Sequence, residues 1–267
     1  MSPTTNRSLA VVTGASTGIG LELAKEFAKN GFDLVVIAEN NEILSAAEQL
    51  RELGANVRAI QEDLASSEGV ENACSQIAEG GRPIDALALN AGVGAGGDFV
   101  RETTLEKDLN VIDLNVRSTV HMAKRLLPEM VQRGSGRVLF TSSIAATMPG
   151  TLNSVYNASK AFVQSFAQAI RKELENTGVT VTALMPGPTD TEFFRRADME
   201  DTKVGQGEKD DPAQVAHEGY EALMAGKDHV IAGSFKNTVQ ATVAHVLPDT
   251  VLASMHEKQG QPETQSH

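Results

Sequence analysis

Residues 13–20 read Thr13-Gly14-Ala15-Ser16-Thr17-Gly18-Ile19-Gly20 and connect a β-branched apolar run to an amphipathic stretch. Gly14 permits a tight turn, Gly18 leaves room beside a pyrophosphate, and Gly20 lets a helix approach the strand. The first amides of that helix would offer free donors to phosphates. The alternative is a tight turn with no ligand. The position between a first strand and a first helix favours a dinucleotide site made by Gly14, Ser16, Thr17, Gly18, Ile19 and Gly20.

The rest of the chain repeats this alternation of strand and helix. Short, nearly continuous apolar runs are typical of strands that are buried on both faces of a parallel sheet. The runs are Leu9–Thr13, Asp33–Ala38, Val57–Gln61, Ala86–Leu89, Arg137–Ser142, Val179–Leu184 and His229–Ala232. The pattern predicts an α/β fold, a doubly wound sheet of about seven mostly parallel strands in a single domain over residues 1–256. Residues 186–211 are predicted to form a lid with one short helix, and residues 257–267 a disordered polar tail.

Composition narrows the classes of partner. The 267 residues carry a formal net charge of -12, and such a surface repels nucleic acid and anionic lipid headgroups. The single cysteine, Cys74, excludes an internal disulfide, and no Cys/His spacing predicts a metal site. Residues 1–8 are polar and no apolar run reaches the ~20 residues of a membrane span, so we expect a cytoplasmic protein without nucleic-acid or membrane partners.

The Gly-x3-Gly-x-Gly spacing resembles that of the short-chain dehydrogenase/reductase family, and the resemblance extends from Leu9 to about Thr191. It implies a Rossmann-type fold that binds NAD or NADP. Asp63-Leu64 follows the third strand, where the family's Asp contacts adenine, although Asp63 alone could be a helix cap or a turn former. Asn90-Ala91-Gly92 follows the fourth strand and resembles the family's Asn-Asn-Ala-Gly, with Leu89 in place of the first Asn.

Tyr156 and Lys160 are four residues apart on a predicted helix and therefore share one face. An ammonium beside a phenol stabilises the phenolate, so we expect a lowered pKa for Tyr156. The resemblance implies that Tyr156 is the general acid/base, that Lys160 also holds the nicotinamide ribose, and that Ser143 polarises the substrate oxygen. It also implies that Asn115 anchors a water in a proton relay to the lysine. Ser142 competes with Ser143, but neighbouring strand residues point to opposite faces.

After the sixth strand the chain reads Pro186-Gly187-Pro188-Thr189-Asp190-Thr191. In the family this stretch curls round the nicotinamide, which implies cofactor contacts from Pro186, Gly187, Thr189 and Thr191. The alternative is an ordinary Pro-Gly turn with caps for the next helix, and both can hold.

The loop after the second strand bears on the choice of cofactor. NADP-selective members of the family have a basic residue where this chain has Glu39, and many NAD-selective members have Asp where it has Ala38. A carboxylate would repel the 2′-phosphate and could accept a hydrogen bond from the ribose, so we expect NAD rather than NADP. If Glu39 points to solvent, the selectivity is loose.

The resemblance implies hydride transfer between the cofactor and an uncharged carbonyl compound or secondary alcohol. We expect an apolar pocket made by Ala145, Met148, Leu152, Met185, Phe193 and Phe194. The long helices predicted over Thr104–Arg133 and Asn153–Thr177 would form a homodimer or homotetramer. A non-catalytic sensor or scaffold on the same fold is the alternative, and an epimerase or dehydratase is a third.

Overall fold

The computed structural model describes residues 7–244 and 247–261, and in them the predicted α/β fold is confirmed. All strand pairs in the seven-stranded sheet are parallel, and the strand order is β3-β2-β1-β4-β5-β6-β7. The strands are β1 Ser8–Thr13, β2 Phe32–Ala38, β3 Val57–Gln61, β4 Ala86–Leu89, β5 Gly136–Thr141, β6 Val179–Pro186 and β7 His229–Ala232.

Helices connect the strands and cover both faces of the sheet. They are α1 Gly18–Lys29, α2 Glu42–Glu52, α3 Ser67–Glu79, α4 Leu105–Ile112, α5 Ser118–Arg133, α6 Ser154–Glu173, α7 Phe193–Arg196, α8 Lys203–Gln206, α9 Pro212–Met224, α10 Phe235–Ala244 and α11 Asp249–Gly260. A 3₁₀ turn, Ile144–Thr147, follows β5. Within residues 7–244 and 247–261, no helix is both long and apolar enough to cross a membrane.

The core has two layers, one on each side of the sheet. Alternating residues of β1 show the division: Val11 packs in the layer with α3, α5 and α6, whereas Val12 packs in the layer with α1, α2 and α9. Because the chain runs outward from β1 to β3 and then crosses back to β4, a crevice opens at the carboxyl ends of β1 and β4. Ligands of open parallel sheets bind at this kind of position.

Two predicted segments differ from the structure. The single helix predicted over Thr104–Arg133 is three pieces, because a π-helical turn, Asp113–Arg117, separates α4 from α5. The lid has a second short helix, α8, which Thr202 caps by accepting a hydrogen bond from Gly205 N at 3.1 Å.

At the carboxyl end of the chain, α10 covers most of the helix predicted over Ser234–Val246, and His245 and Val246 lie outside the described residues. α11 extends through residues 257–260, which are helical where the sequence predicts a disordered tail. Residues 262–267 of that tail also lie outside the described part of the chain.

Candidate active site

The turn between β1 and α1 has a backbone that only glycine fits at two points. Gly14 has φ +66°, and a Cβ there would lie 2.8 Å from Ala91 Cα. A Cβ on Gly20 would lie 2.1 Å from the carbonyl oxygen of Gly14. Since α1 begins at Gly18, its first amides lie at this turn and have no partner within the helix. The turn therefore fits a pyrophosphate, with bare backbone for close approach and free donors to bind it.

All residues predicted to bind the cofactor line one continuous cleft along the carboxyl edge of the sheet. They are Gly14, Ser16, Thr17, Gly18, Ile19, Gly20, Glu39, Asp63, Leu64, Asn90, Ala91, Gly92, Tyr156, Lys160, Pro186, Gly187, Thr189 and Thr191. Ser143 lines the same cleft, so the predicted catalytic serine and tyrosine share it with the glycine turn.

Hydrogen bonds join the strand ends beneath this cleft. The amides of Asn90 and Ala91 donate to Thr13 Oγ1 at 2.9 and 3.0 Å. Asn90 Oδ1 accepts from Thr141 Oγ1 at 3.0 Å, so one side chain connects β1, β4 and β5. Asp63 forms the turn that its alternative interpretation predicts, because its Oδ1 accepts from Ala65 N at 2.8 Å. Sequence reasoning missed Thr13, although it is the first residue of the glycine motif.

Tyr156 and Ser143 lie together at the middle of the cleft. Ser143 Oγ accepts from Ala145 N at 3.1 Å and donates to the carbonyl oxygen of Pro186 at 3.3 Å. Burial raises the pKa of Tyr156 to about 12, and a hydrogen bond with the Ser143 hydroxyl acts in the opposite direction. The expectation of a lowered pKa was wrong for the protein alone, because burial of the phenol outweighs its hydrogen bond with Ser143, even though the residue as a whole is only half-buried.

Lys160 lies below the tyrosine and is almost fully buried. Its Nζ donates to the carbonyl oxygen of Thr141 at 2.9 Å. Burial lowers the pKa of Lys160 to about 8. Ser142, the competitor of Ser143, donates from Oγ to the backbone oxygen of Lys160 at 3.0 Å, so it fastens α6 to the end of β5.

Asn115 lies in the π-helical turn and does not line the cleft. Its Oδ1 accepts from Val93 N and its Nδ2 donates to Val93 O, both at 2.9 Å, and Nδ2 also donates to Ser159 Oγ at 2.9 Å. A Cβ on Gly92 would lie 3.1 Å from Asn115 Oδ1 and 3.2 Å from Lys160 Nζ. Asn115 therefore fixes the backbone that separates it from the lysine. π-Helical turns often occur at functional sites.

The lid covers the cleft from above. A Cβ on Gly18 would lie 2.9 Å from Thr191 Cγ2, so the lid contacts the glycine turn. Thr191 Oγ1 also accepts from Phe193 N at 3.3 Å, but the N-cap position of α7 belongs to Glu192, so Thr191 precedes the cap rather than forming it. The ring of Phe193 lies 5.1 Å from the ring of Tyr156, and Phe194 packs with Ala197 and Met199.

The substrate end is less apolar than predicted. Ala145, Met148, Phe193 and Phe194 line it, but Leu152 and Met185 do not. Met185 is buried in β6, and Leu152 takes a left-handed φ of 65°, with its carbonyl oxygen 2.8 Å from Gly97 N. Polar residues that sequence reasoning missed complete the wall: Asn153, Asn157, Gln240, His256 and Gln259. Gln240, His256 and Gln259 have no local signal, because α10 and α11 reach the cleft only through the tertiary fold, whereas Asn153 and Asn157 flank Tyr156 at the start of α6.

The charges at the adenosine end of the cleft are mixed. Glu39 lines the cleft, and its carbonyl oxygen accepts from Gln61 Nε2 at 3.1 Å. Arg58 points away, since its guanidinium donates to Gln76 O at 2.6 Å. Arg196 of the lid also lines the cleft and lies 3.7 Å from Glu42. A nicotinamide dinucleotide therefore fits the cleft, with Glu39, Glu62 and Asp63 as acidic and Arg196 as basic side chains at this end.

Comparisons with known proteins agree with this geometry. The profile of the short chain dehydrogenase family matches residues 8–202. The chain is 33% identical over 200 residues to the NADP-dependent 3-hydroxy acid dehydrogenase YdfG of Salmonella typhi, covering 74% of this chain and 80% of that protein. It is 32% identical over 183 residues to serine 3-dehydrogenase of Rhizobium radiobacter, covering 68% of this chain and 72% of the relative.

Solved structures show the same fold. A short-chain dehydrogenase from Sphingobium yanoikuyae in complex with NADPH superposes with a TM-score of 0.78 at 30% identity, covering 84% of this chain and 87% of that one. A short-chain dehydrogenase/reductase from Burkholderia phymatum in complex with NAD gives a TM-score of 0.82 at 21% identity, covering 96% and 97% of the two chains.

Proposed function

Since the chain belongs to the short-chain dehydrogenase family, we propose that it is a nicotinamide-dependent oxidoreductase that interconverts an uncharged carbonyl compound and its secondary alcohol. One observation carries this proposal: a single cleft contains both the glycine turn that fits a pyrophosphate and the side chains of Ser143, Tyr156 and Lys160. Relatives with the family's fold act as dehydrogenases and bind NADPH or NAD.

Ser143, Tyr156 and Lys160 have different roles in the reaction. When bound, the nicotinamide supplies or accepts the hydride. Ser143 Oγ donates to the substrate oxygen, where negative charge develops during reduction. The Tyr156 hydroxyl gives its proton to that oxygen in reduction and takes it back in oxidation. Lys160 Nζ holds the ribose and places a positive charge near the phenol, which favours the phenolate.

Asn115 is a positioning residue that acts through the backbone beside Lys160. By holding both backbone groups of Val93, it fixes Gly92 between itself and Lys160. Fixing this segment keeps the Lys160 ammonium in place below the tyrosine. The water relay implied by the family would start from the same π-helical turn.

For the cofactor we propose a preference for NAD. Glu39 lines the cleft and occupies the position where NADP-selective members of the family have a basic residue, and Arg58 is engaged elsewhere. Arg196 limits this preference, because it is a basic residue on the same stretch of cleft and its partner Glu42 is only loosely held at 3.7 Å. The similarity to an NADP-dependent dehydrogenase points the other way.

Fluorescence titrations of the purified protein with NADH and NADPH, followed by a screen of ketones and aldehydes, test the function. We expect tight NADH binding, weaker NADPH binding and oxidation of the bound cofactor by at least one carbonyl compound. Tight NADPH binding alone would contradict only the selectivity. Binding of neither cofactor would overturn the proposal, and binding without turnover would favour a sensor or scaffold.

We also propose a homo-oligomer that assembles through α4 and α6. Leu105, Leu109 and Ile112 lie on one face of α4 at helical spacing and are exposed, as is Phe162 on α6. A large exposed apolar patch of this kind marks an interface. Light scattering should give a mass of two or four chains, and a strict monomer at micromolar concentration would contradict the proposal.

A further inference from the structure

The substrate end of the cleft has two chemically different walls. The lid supplies an apolar wall that consists of Phe193, Phe194, Met199 and Val204. The opposite wall comes from the start of α6 and from the C-terminal helices α10 and α11. Its side chains are polar but carry no full charge: Asn153, Asn157, Gln240, His256 and Gln259.

Asn153 is the most informative residue of the polar wall. It is 3% exposed, its side chain makes no hydrogen bond to the described residues, and its Oδ1 is fully buried. It occupies the N-cap position of α6, three residues before Tyr156, yet its side chain makes no capping hydrogen bond to that helix. A buried amide without a partner destabilises a protein, so its presence in the wall of a cleft calls for a reason, and a hydrogen bond to a ligand supplies one.

His256 is held as a neutral ring. Its Nδ1 lies 2.9 Å from the carbonyl oxygen of Thr151, so this nitrogen carries the proton and donates it. Its Nε2 lies 3.3 Å from Asn157 Nδ2 and accepts from it. Burial lowers the pKa of His256, which keeps the ring uncharged at neutral pH. The histidine therefore brings α11 against α6 without adding a cation to the wall.

The two glutamines have amide groups available for a ligand. Gln240 Nε2 lies 4.0 Å from Met148 Sδ, a weak acceptor, and this is its only side-chain hydrogen bond within the described part of the chain. Gln259 makes no side-chain hydrogen bond to the described residues and is exposed at the rim.

A carboxylate has no partner at this wall. Among the described lysines and arginines, Lys160 and Arg196 line the cleft. Lys160 lies below Tyr156 and donates to Thr141 O, whereas Arg196 lies beside Glu42 at the other end. The wall therefore suits an uncharged group that both donates and accepts hydrogen bonds.

We propose that the substrate carries a hydroxyl or primary amide group at the end away from its reacting carbonyl, and that Asn153 and Gln240 bind this group. The part of the substrate between the two ends is apolar and packs on Phe193 and Phe194. This inference rests on the proposed function, since it names the substrate class of the same cleft. It also sets the chain apart from relatives named for hydroxy-acid substrates.

Pairs of ketones test the inference. In each pair one member ends in a hydroxyl and the other in a methyl group, and the distance between the carbonyl and that end increases along the series. We expect wild-type protein to reduce the hydroxyl member of at least one pair with a kcat/KM about tenfold or more above that of the methyl member. Asn153→Leu and Gln240→Met should each remove most of this preference, because kcat/KM falls far more for the hydroxyl member than for the methyl member. Gln49→Met, on the exposed face of α2, is the matched control and should keep the preference.

Thermal unfolding gives a second readout. Because Asn153 lacks a partner, Asn153→Leu should raise the Tm by about 2 °C. A lowered Tm together with equal losses for both members of every pair would show a structural amide and overturn the inference. The absence of any hydroxyl preference in wild-type protein would overturn it as well.

Binding separates this inference from the proposed function. The same ketones are titrated into wild-type protein with NADH bound, and nicotinamide fluorescence is followed. If hydroxyl members bind tightly in an Asn153-dependent manner but no ketone is reduced, the polar subsite stands and the proposed reaction is wrong. If ketones are reduced without dependence on Asn153 or Gln240, the reaction stands and the subsite is wrong.

Discussion

The Lys160 ammonium nitrogen lies 5.9 Å from the centroid of the Tyr156 ring. Burial lowers the pKa of Lys160 to about 8 and raises the pKa of Tyr156 to about 12. The pair therefore stands as a protonated phenol above a lysine that is still mostly charged at pH 7. This is the state that carbonyl reduction needs, because the phenol must give a proton.

The two directions of the reaction should respond differently to pH. Oxidation needs the phenolate, and below the pKa its fraction rises about tenfold per pH unit, so kcat/KM for an alcohol should rise steeply from pH 6 to 8. Above about pH 8 the rise should flatten, because Lys160 loses the charge that favours the phenolate. Reduction should stay nearly constant from pH 6 to 8. A reduction rate that rises with pH over this range would contradict Tyr156 as the acid.

Ser143 and Ser142 form a matched pair for mutation. Ser143→Ala removes the donor to the substrate oxygen and should lower kcat by about 10²–10³ without weakening cofactor binding. Ser142→Ala loses a hydrogen bond to Lys160 O, so it should cost about 1 kcal/mol of stability and retain most of kcat. Steady-state kinetics and thermal melts distinguish the two effects. Equal losses of kcat would argue against a direct part for Ser143.

Glu39 should control the choice between the two cofactors. Glu39→Arg replaces a charge that repels the 2′-phosphate by one that attracts it, and should shift the ratio of the Kd values toward NADPH by about tenfold or more. Glu48→Arg makes the same change of charge on the exposed side of α2 and is the control. If both variants shift the ratio equally, only the overall field matters and Glu39 does not contact the adenosine end.

Asp33 should be a main electrostatic contributor to stability. Burial would raise the pKa of this carboxyl, but hydrogen bonds from Arg82 at 2.6 Å and from Asn56 outweigh it, so the pKa is lowered. Asp33→Asn should cost about 2 kcal/mol at pH 7, less than a fully buried pair because Arg82 is partly exposed.

The contribution of Asp33 to stability should decrease at acidic pH. A lowered pKa in the folded state contributes stability above the ordinary value of 3.8, and this contribution is lost as the pH falls through the folded pKa. The Tm difference between wild type and Asp33→Asn should therefore narrow below about pH 4. A difference that stays constant down to pH 2.5 would show that the charge is not what stabilises this site.

The strands could be predicted from sequence because their signal is local. Val57–Gln61 and Ala86–Leu89 begin and end where the predicted runs do, but only Ala86–Leu89 is buried throughout, because β3 is an edge strand in which Ile60 alone is buried. The glycine turn could also be predicted from sequence, because its conformation requires glycine at fixed positions. A Cβ on Gly20, for example, would overlap the backbone of Gly14. The π-helical turn at Asp113–Arg117 has no such signal, because its residues are ordinary helix residues.

The polar wall could not be predicted for a different reason. His256 reaches Thr151 across 105 positions of sequence, and Thr151 Oγ1 donates to Ala253 O across 102. Such contacts depend on how α11 docks, which no periodicity of α11 encodes. The prediction of a lowered pKa for Tyr156 was wrong for the same reason. The burial that raises this pKa depends on the tertiary fold around the phenol and not on the spacing to Lys160.

The most direct test of the central claim compares the two tyrosines of the chain. Tyr220 packs in the core against Phe27, whereas Tyr156 lies in the cleft. With the best ketone from the screen, Tyr156→Phe should lower kcat at least about 10³-fold while the Kd for NADH changes less than about threefold. Tyr220→Phe should leave both values unchanged. If Tyr156→Phe keeps full turnover, Tyr156 does not supply the proton and the mechanism is wrong.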